Sequence, residues 1–220
     1  MRVPTPFSIA RLAGAALVVV LAAGCSILPK SAPVQVWQPE VHATASPATA
    51  NANFSLRVDT PNANGSVDQL GITVLPKPGE VSTYHGARWN ESPTLLVRQR
   101  LVDAFMAAKL PAVTTDDDHF ASDYTLSGDL RKFQSEYRNG APVVVVRFDA
   151  LLRRGGSRRP FAAHSFVISE TPSGVEVPQI VAAFGTADDT LAQQVVAWTV
   201  DMVSHATATP AADTPTAHHH

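Results

Sequence analysis

The sequence predicts one α/β domain of the α+β kind, a largely antiparallel sheet with two main helices packed on one face. Three observations predict it. Val177, Phe184, Leu191 and Trp198 recur every seventh residue, and so do Val181, Val195 and Met202, with Asp188 the one break in that row. Tyr124, Leu126, Gly128 and Leu130 alternate with Thr125, Ser127, Asp129 and Arg131, and Asn139-Gly140 follows as a hairpin turn. Ser92-Pro93 opens a third pattern, with Val97, Leu101, Phe105 and Ala108 at helical spacing.

Taken in order along the chain, residues 1–24 read as a secretory signal. Arg2 and Arg11 supply positive charge, and Leu12 to Leu21 form an apolar run too short for the roughly 20 residues of a spanning helix. The run closes on Leu21-Ala22-Ala23-Gly24-Cys25, which resembles the lipobox of bacterial lipoproteins, although Ala22 stands where a larger aliphatic residue is usual. The resemblance implies that the thiol of Cys25 takes a diacylglycerol and that Cys25 becomes the acylated first residue. Several acyl chains, at about 0.8 kcal/mol per buried CH₂, anchor a protein stably where one would not. By resemblance to sorted lipoproteins, Ser26 rather than Asp after the cysteine implies the periplasmic face of a Gram-negative outer membrane.

Residues 25–53 read as a tether of Pro, Ala, Thr, Ser and Asn, reaching roughly 30 Å as a coil and nearly 90 Å if extended. Trp37 within it is either a short docking strand or a bilayer-surface residue. The folded part is residues 54–204. Phe54 to Val58 and Leu70 to Leu75 predict strands, and a first helix runs from the Ser92 cap to Leu110-Pro111, with Gln99, Arg100 and Asp103 on its outer side. The meander follows: the strand at Tyr124, the apolar run Val143 to Leu152, which reads as a central strand, and Phe161 to Ser169 after Gly155-Gly156. One helix from Pro178 to about Ser204 then closes the domain, its stripe a core-facing seam. Residues 205–220 read as a disordered tail, its last residues His218 to His220 a tag-like remnant.

Composition excludes several classes of function. The chain of 220 residues is 45% apolar and 16% charged, with a net charge of −2. Loss of Arg2 and Arg11 with the signal leaves 15 basic against 19 acidic residues, −4, the wrong sign for a nucleic-acid binder. A single cysteine excludes a disulfide framework and a thiolate zinc cage. No Gly-rich phosphate loop, Gly-x-Ser-x-Gly elbow or His-Glu-x-x-His helix is present. Asp116-Asp117-Asp118-His119 lacks the alternate acids and glycine of a calcium loop and reads as a solvated acidic loop. His85 and His164 have no evident acid partner. The sequence therefore predicts no catalytic residue, no metal and no cofactor.

Two features could bind. Arg147, Arg153, Arg154, Arg158 and Arg159 gather around Gly155-Gly156, either as a solvated hairpin tip or as a contact for anionic headgroups or an acidic partner. Tyr84-His85-Gly86-Ala87-Arg88-Trp89 precedes the first helix, and Tyr84, Arg88 and Trp89 are either interface anchors or a loop stapled to that helix.

At these residues the chain resembles the ABC-type transport auxiliary lipoproteins, the PqiC-like family serving MCE-type lipid transporters. The likeness rests on Cys25, Phe54-Ser55-Leu56, Ile72-Thr73-Val74-Leu75-Pro76, Tyr84 with Arg88-Trp89, and Pro93, Leu95 and Leu96. Gly128-Asp129-Leu130 and Val181-Ala182-Ala183-Phe184 with Trp198 complete it. The resemblance implies a non-enzymatic accessory subunit at the outer membrane that docks a periplasmic MCE tunnel protein, works with ABC-type or related inner-membrane components, and can assemble as a homo-oligomer. The other readings open at this point are a lipoprotein holding a small apolar or lipid ligand between helix seam and sheet, and a periplasmic hydrolase.

Overall fold

The computed structural model describes residues 33–40, 52–118 and 120–208. The signal segment, Cys25, most of the tether, His119 and the residues from 209 onward, His218 to His220 among them, lie outside the described residues. The elements are β1 (Gln35–Trp37), β2 (Ser55–Val58), β3 (Gly71–Lys77), β4 (Glu80–Trp89), α1 (Pro93–Ala107), β5 (Ala112–Thr115), β6 (Tyr124–Arg138), β7 (Ala141–Arg154), β8 (Pro160–Glu170) and α2 (Val177–Ala208).

The long hairpin β6–β7 is the spine of the sheet. Its turn is Asn139-Gly140, both at positive φ (51° and 81°), the pair of conformations that matches strand twist. β7 pairs antiparallel along all of β6 and then with β8. The other edge of β6 is shared: β2 runs parallel to its start and β3 parallel to its end. β5 extends the sheet beyond β2, and β4 and then β1 extend it beyond β3. The long ladders are antiparallel while the short junctions of β1, β2, β3 and β5 run parallel, so the sheet is mixed.

A bulge sets which side chains reach the core. Leu126, Gly128 and Leu130 stand opposite Leu152, Ala150 and Phe148; Arg131 is then the extra residue, and Phe133 and Ser135 stand opposite Val146 and Val144. The strict alternation read from the sequence therefore holds only as far as Leu130, after which the inward face moves to odd-numbered residues. Gly128 makes room for a neighbour here: a Cβ would meet the Asp149 carbonyl oxygen and lie 2.8 Å from the Phe148 ring.

α1 buries Val97, Leu101, Ala104, Phe105 and Ala108 as its spacing predicts. Ser92 occupies the N-cap position, yet its side chain caps nothing. Asp68 does that work from outside the helix, accepting from the Thr94 N–H at 3.3 Å and the Thr94 hydroxyl at 2.7 Å. α2 is one helix across Gly185, and its stripe packs Phe184 against Phe133 (ring centroids 4.7 Å) and against Trp89 (5.1 Å). A single hydrophobic cluster joins both helices to the sheet, wholly within residues 54–203.

β4 and β5 are absent from the sequence expectation, and of the two readings of Trp37 the structure shows the docking strand, β1. β4 shows no two-residue alternation and is interrupted by Gly86 at φ 67°. β1 lies inside the stretch expected to be tether, but it pairs with β4 and sets Trp37 against the core, so residues 34–40 belong to the domain.

Candidate functional site

Tyr84, Arg88 and Trp89 do not share a surface. Trp89 is fully buried, edge-on to Phe133 and Phe184, and cannot anchor a partner. Tyr84 is half-buried and donates its hydroxyl to Ser135 Oγ at 3.0 Å; burial raises its pKa, against the pull of that hydrogen bond. Arg88, on the opposite face of β4 from Trp89, is exposed. It is in register with Val36 of β1, itself exposed, and Val34 is exposed one pleat further along. β1 pairs only with β4, so among the described residues its outer edge is open. Arg88, Val34 and Val36 thus form a small basic-apolar patch beside an unpaired strand edge, half of it supplied by a segment that sequence reasoning assigned to the tether.

The arginines also divide. Arg147 is not at the β7–β8 turn: it lies mid-strand opposite Val167 and pairs with Asp149 at 3.1 Å. Asp149 also takes Arg131 at 3.0 Å and the Ser165 hydroxyl at 2.5 Å; although burial opposes it, these donors lower its pKa. Arg153 reaches Asp59 at 3.4 Å and the Ser157 carbonyl at 3.3 Å. Arg154 donates to the Ala206 carbonyl at 2.8 Å, at the end of α2 where helix carbonyls need donors, and covers the Phe161 ring at 5.8 Å. Arg158 and Arg159 are exposed, and neither side chain forms an ion pair among the described residues. Arg57 joins this end from β2, held to Asp59 at 2.8 Å, and Phe120 stands beside it with 71% of its surface exposed. Nothing in the sequence signalled Arg57 or Phe120 as neighbours of the turn.

The acidic run is tied down by one arginine: Arg98 pairs with Asp116 and Asp117, each at 2.8 Å, while Asp118 accepts from the Thr115 N–H at 2.9 Å. The remaining charged cluster is internal. Arg100, read from the sequence as outward-facing, is buried and pairs with Asp189 of α2. Asp188, the break in the α2 stripe, is buried beside them, with Oδ1 lacking a donor. Burial pushes its pKa up to about 7, with Arg100 opposing and Asp189 assisting. Gln38, Pro39 and Glu40 close a cavity of about 70 Å³ over this cluster. It is small, and an arginine already occupies the place of a cation.

The interior between the α2 seam and the sheet, where an apolar ligand was the alternative, is filled by Trp89, Phe133, Phe148, Phe166 and Phe184, all buried. The larger clefts lie at the margins, one of about 690 Å³ between the start of β6 and the end of α2. No helix of the described residues is long and apolar enough to cross a membrane.

Comparison with solved structures finds protein XCC0632 from Xanthomonas campestris, with a TM-score of 0.73 and 29% identity, covering 80% of this chain and 100% of that one. A second crystal structure, of an uncharacterized protein, superposes with a TM-score of 0.60 at 14% identity over 76% of this chain and 99% of that one, which shows a shared fold. No protein of curated function matches the sequence. Residues 38–196 match the family model described as the ABC-type transport auxiliary lipoprotein component, and the chain belongs to that family of transport auxiliary lipoproteins.

Proposed function

We propose that the chain is a non-enzymatic accessory subunit of an ABC/MCE-type intermembrane lipid transport system. In this reading Cys25 is acylated and holds the domain to the periplasmic face of the outer membrane, where it docks a periplasmic MCE-family tunnel protein and can assemble as a homo-oligomer. The observation that carries the proposal is the family match, which spans residues 38–196 and therefore nearly all of the described domain. Arg100 is committed to Asp189, and the cavity over them is small, which supports a binding rather than a catalytic role.

The docking of β1 shortens the tether. Only residues 26–33 separate Cys25 from the domain, a run that spans at most roughly 28 Å when extended. An anchored domain would then stay close to its membrane and present the β1–β4 edge near the attachment point. We assign docking to that edge, with Arg88, Val34 and Val36 as contacts in place of the buried Trp89.

The test has two steps. Mass spectrometry of the mature chain should show an acylated Cys25, and Cys25→Ala should release the protein to the soluble periplasmic fraction; a bare or differently cut terminus defeats the anchor. Co-purification with an MCE protein should weaken in Arg88→Glu while thermal stability is kept. Unchanged capture removes that edge from the interface.

A further inference from the structure

We propose that the end of the domain formed by the β7–β8 turn and the approach to β6 is a docking surface for an anionic lipid leaflet. Arg57, Arg153, Arg158 and Phe120 line one open cleft of about 340 Å³ there. Arg154 and Arg159 flank it from the same hairpin. Among the described residues, Asp59 and Asp123 are the carboxylates packed at this end, and both are spoken for, while the nearby Asp116 and Asp117 are held by Arg98. Asp59 is shared by Arg57 and Arg153. Asp123 accepts from the Ser55 N–H at 2.7 Å and the Ser55 hydroxyl at 2.8 Å. The surplus of positive charge is local, because the whole chain carries −2. It complements a surface of phosphate headgroups.

The two exposed rings at this end fix the class of surface. Phe120 stands out with 71% of its area accessible, and Phe161 is 38% exposed under Arg154. A large apolar ring standing out among cations suits the headgroup boundary of a bilayer, where aromatic rings settle and basic residues meet phosphates at no fixed spacing. An acidic protein face would instead select paired, oriented guanidiniums. Within the group, Arg153 and Arg154 already hold structure, one through Asp59 and one through the end of α2. Arg158, Arg159 and Phe120 remain for the lipid. The surface does not depend on Cys25, so it is tested without it.

The experiment uses the chain from residue 26 onward, since its core lies wholly within the domain, and vesicles with and without phosphatidylglycerol in phosphatidylcholine. Sedimentation should show binding to the anionic vesicles, little to pure phosphatidylcholine, and loss as salt is raised. Arg158→Gln and Arg159→Gln should each lower the partition constant about fivefold. Phe120→Ser should lower it while leaving the salt dependence intact. All three residues are exposed, and an unchanged circular dichroism spectrum verifies the fold. Equal binding to neutral vesicles, or wild-type binding by all three variants, overturns the proposal. So does an absence of vesicle binding combined with arginine-dependent retention on immobilised polyglutamate, which would assign the surface to an acidic macromolecule.

Discussion

Trp37 stands in register with Trp89 across the parallel pairing of β1 and β4, so that a residue from the Pro/Ala-rich stretch lies beside one at the centre of the core. Replacing Trp37 by Ala should cost about 2 kcal/mol, below the range for a wholly buried Trp because its ring is only partly enclosed. Among the described residues the indole N–H of Trp37 has no acceptor, so Trp37→Phe should be nearly neutral. Thermal denaturation of the two variants checks both outcomes.

Gly185→Ala pits two effects against each other. Within a helix the change gains about 1 kcal/mol of propensity. Here a Cβ would lie 2.6 Å from the Glu40 backbone oxygen, a group with no flexible end to swing away. The contact wins if Glu40 must move, and hydrogen exchange of residues 36–40 should then accelerate while α2 stays protected.

Among the described residues Arg100 is the one cation in its buried cluster, paired with Asp189 and close to Asp188 of α2. Arg100→Met should cost about 3–5 kcal/mol near pH 8, the usual penalty for leaving a buried charge uncompensated. The loss should shrink near pH 5, where Asp188 carries its proton. Denaturant titrations at both pH values test this.

Asp188 also gives wild-type stability a defined pH dependence. Its folded pKa is raised by burial to about 7 from an ordinary 3.8, so the native state binds more protons than the unfolded state between those values. Its contribution is therefore full below the unfolded value and falls as pH rises through about 7. Glu136 works in the other direction: burial opposes its ionisation, but Lys132, Arg138 and Gln134 hold its pKa down to about 2, so its contribution is lost as pH falls toward that value. Asp188→Asn should flatten the slope between about pH 4 and 7 and leave the acid limb unchanged.

Gly128→Ala should cost about 1–3 kcal/mol by overpacking, because the added methyl meets the Asp149 carbonyl and the Phe148 ring. Chemical denaturation measures it, and Phe148→Leu in the same chain should recover part of the loss by clearing the ring.

Periodicity made much of this molecule legible before any coordinates. The seven-residue rows of α2, the buried face of α1 and the Asn139-Gly140 hairpin follow from local rules of spacing and turn chemistry, and each lies where those rules put it. β4 was hidden because Gly86 and a bulged, mostly exposed strand erase the two-residue period. Of the two readings of Trp89, interface anchor or staple, burial excludes the first, and the strand sends its neighbour Arg88 to the opposite, exposed face. Asp188 reads in sequence only as a break in a stripe, because the arginine that acts on it, Arg100, belongs to the other helix.

The sequence by itself determined the fold class, both helices and the central hairpin, because their signals rest on residues a few positions apart, and the order of its motifs carried the family likeness. Tertiary structure decided the rest: that β1 pairs with β4, that Asp68 caps α1, that Arg57 and Phe120 join the arginine-rich turn, and that Arg100 of α1 pairs with Asp189 of α2 beside buried Asp188. Each of these joins segments far apart in the chain. Their pairing is selected by which surfaces the folded sheet brings together, and no local spacing encodes that.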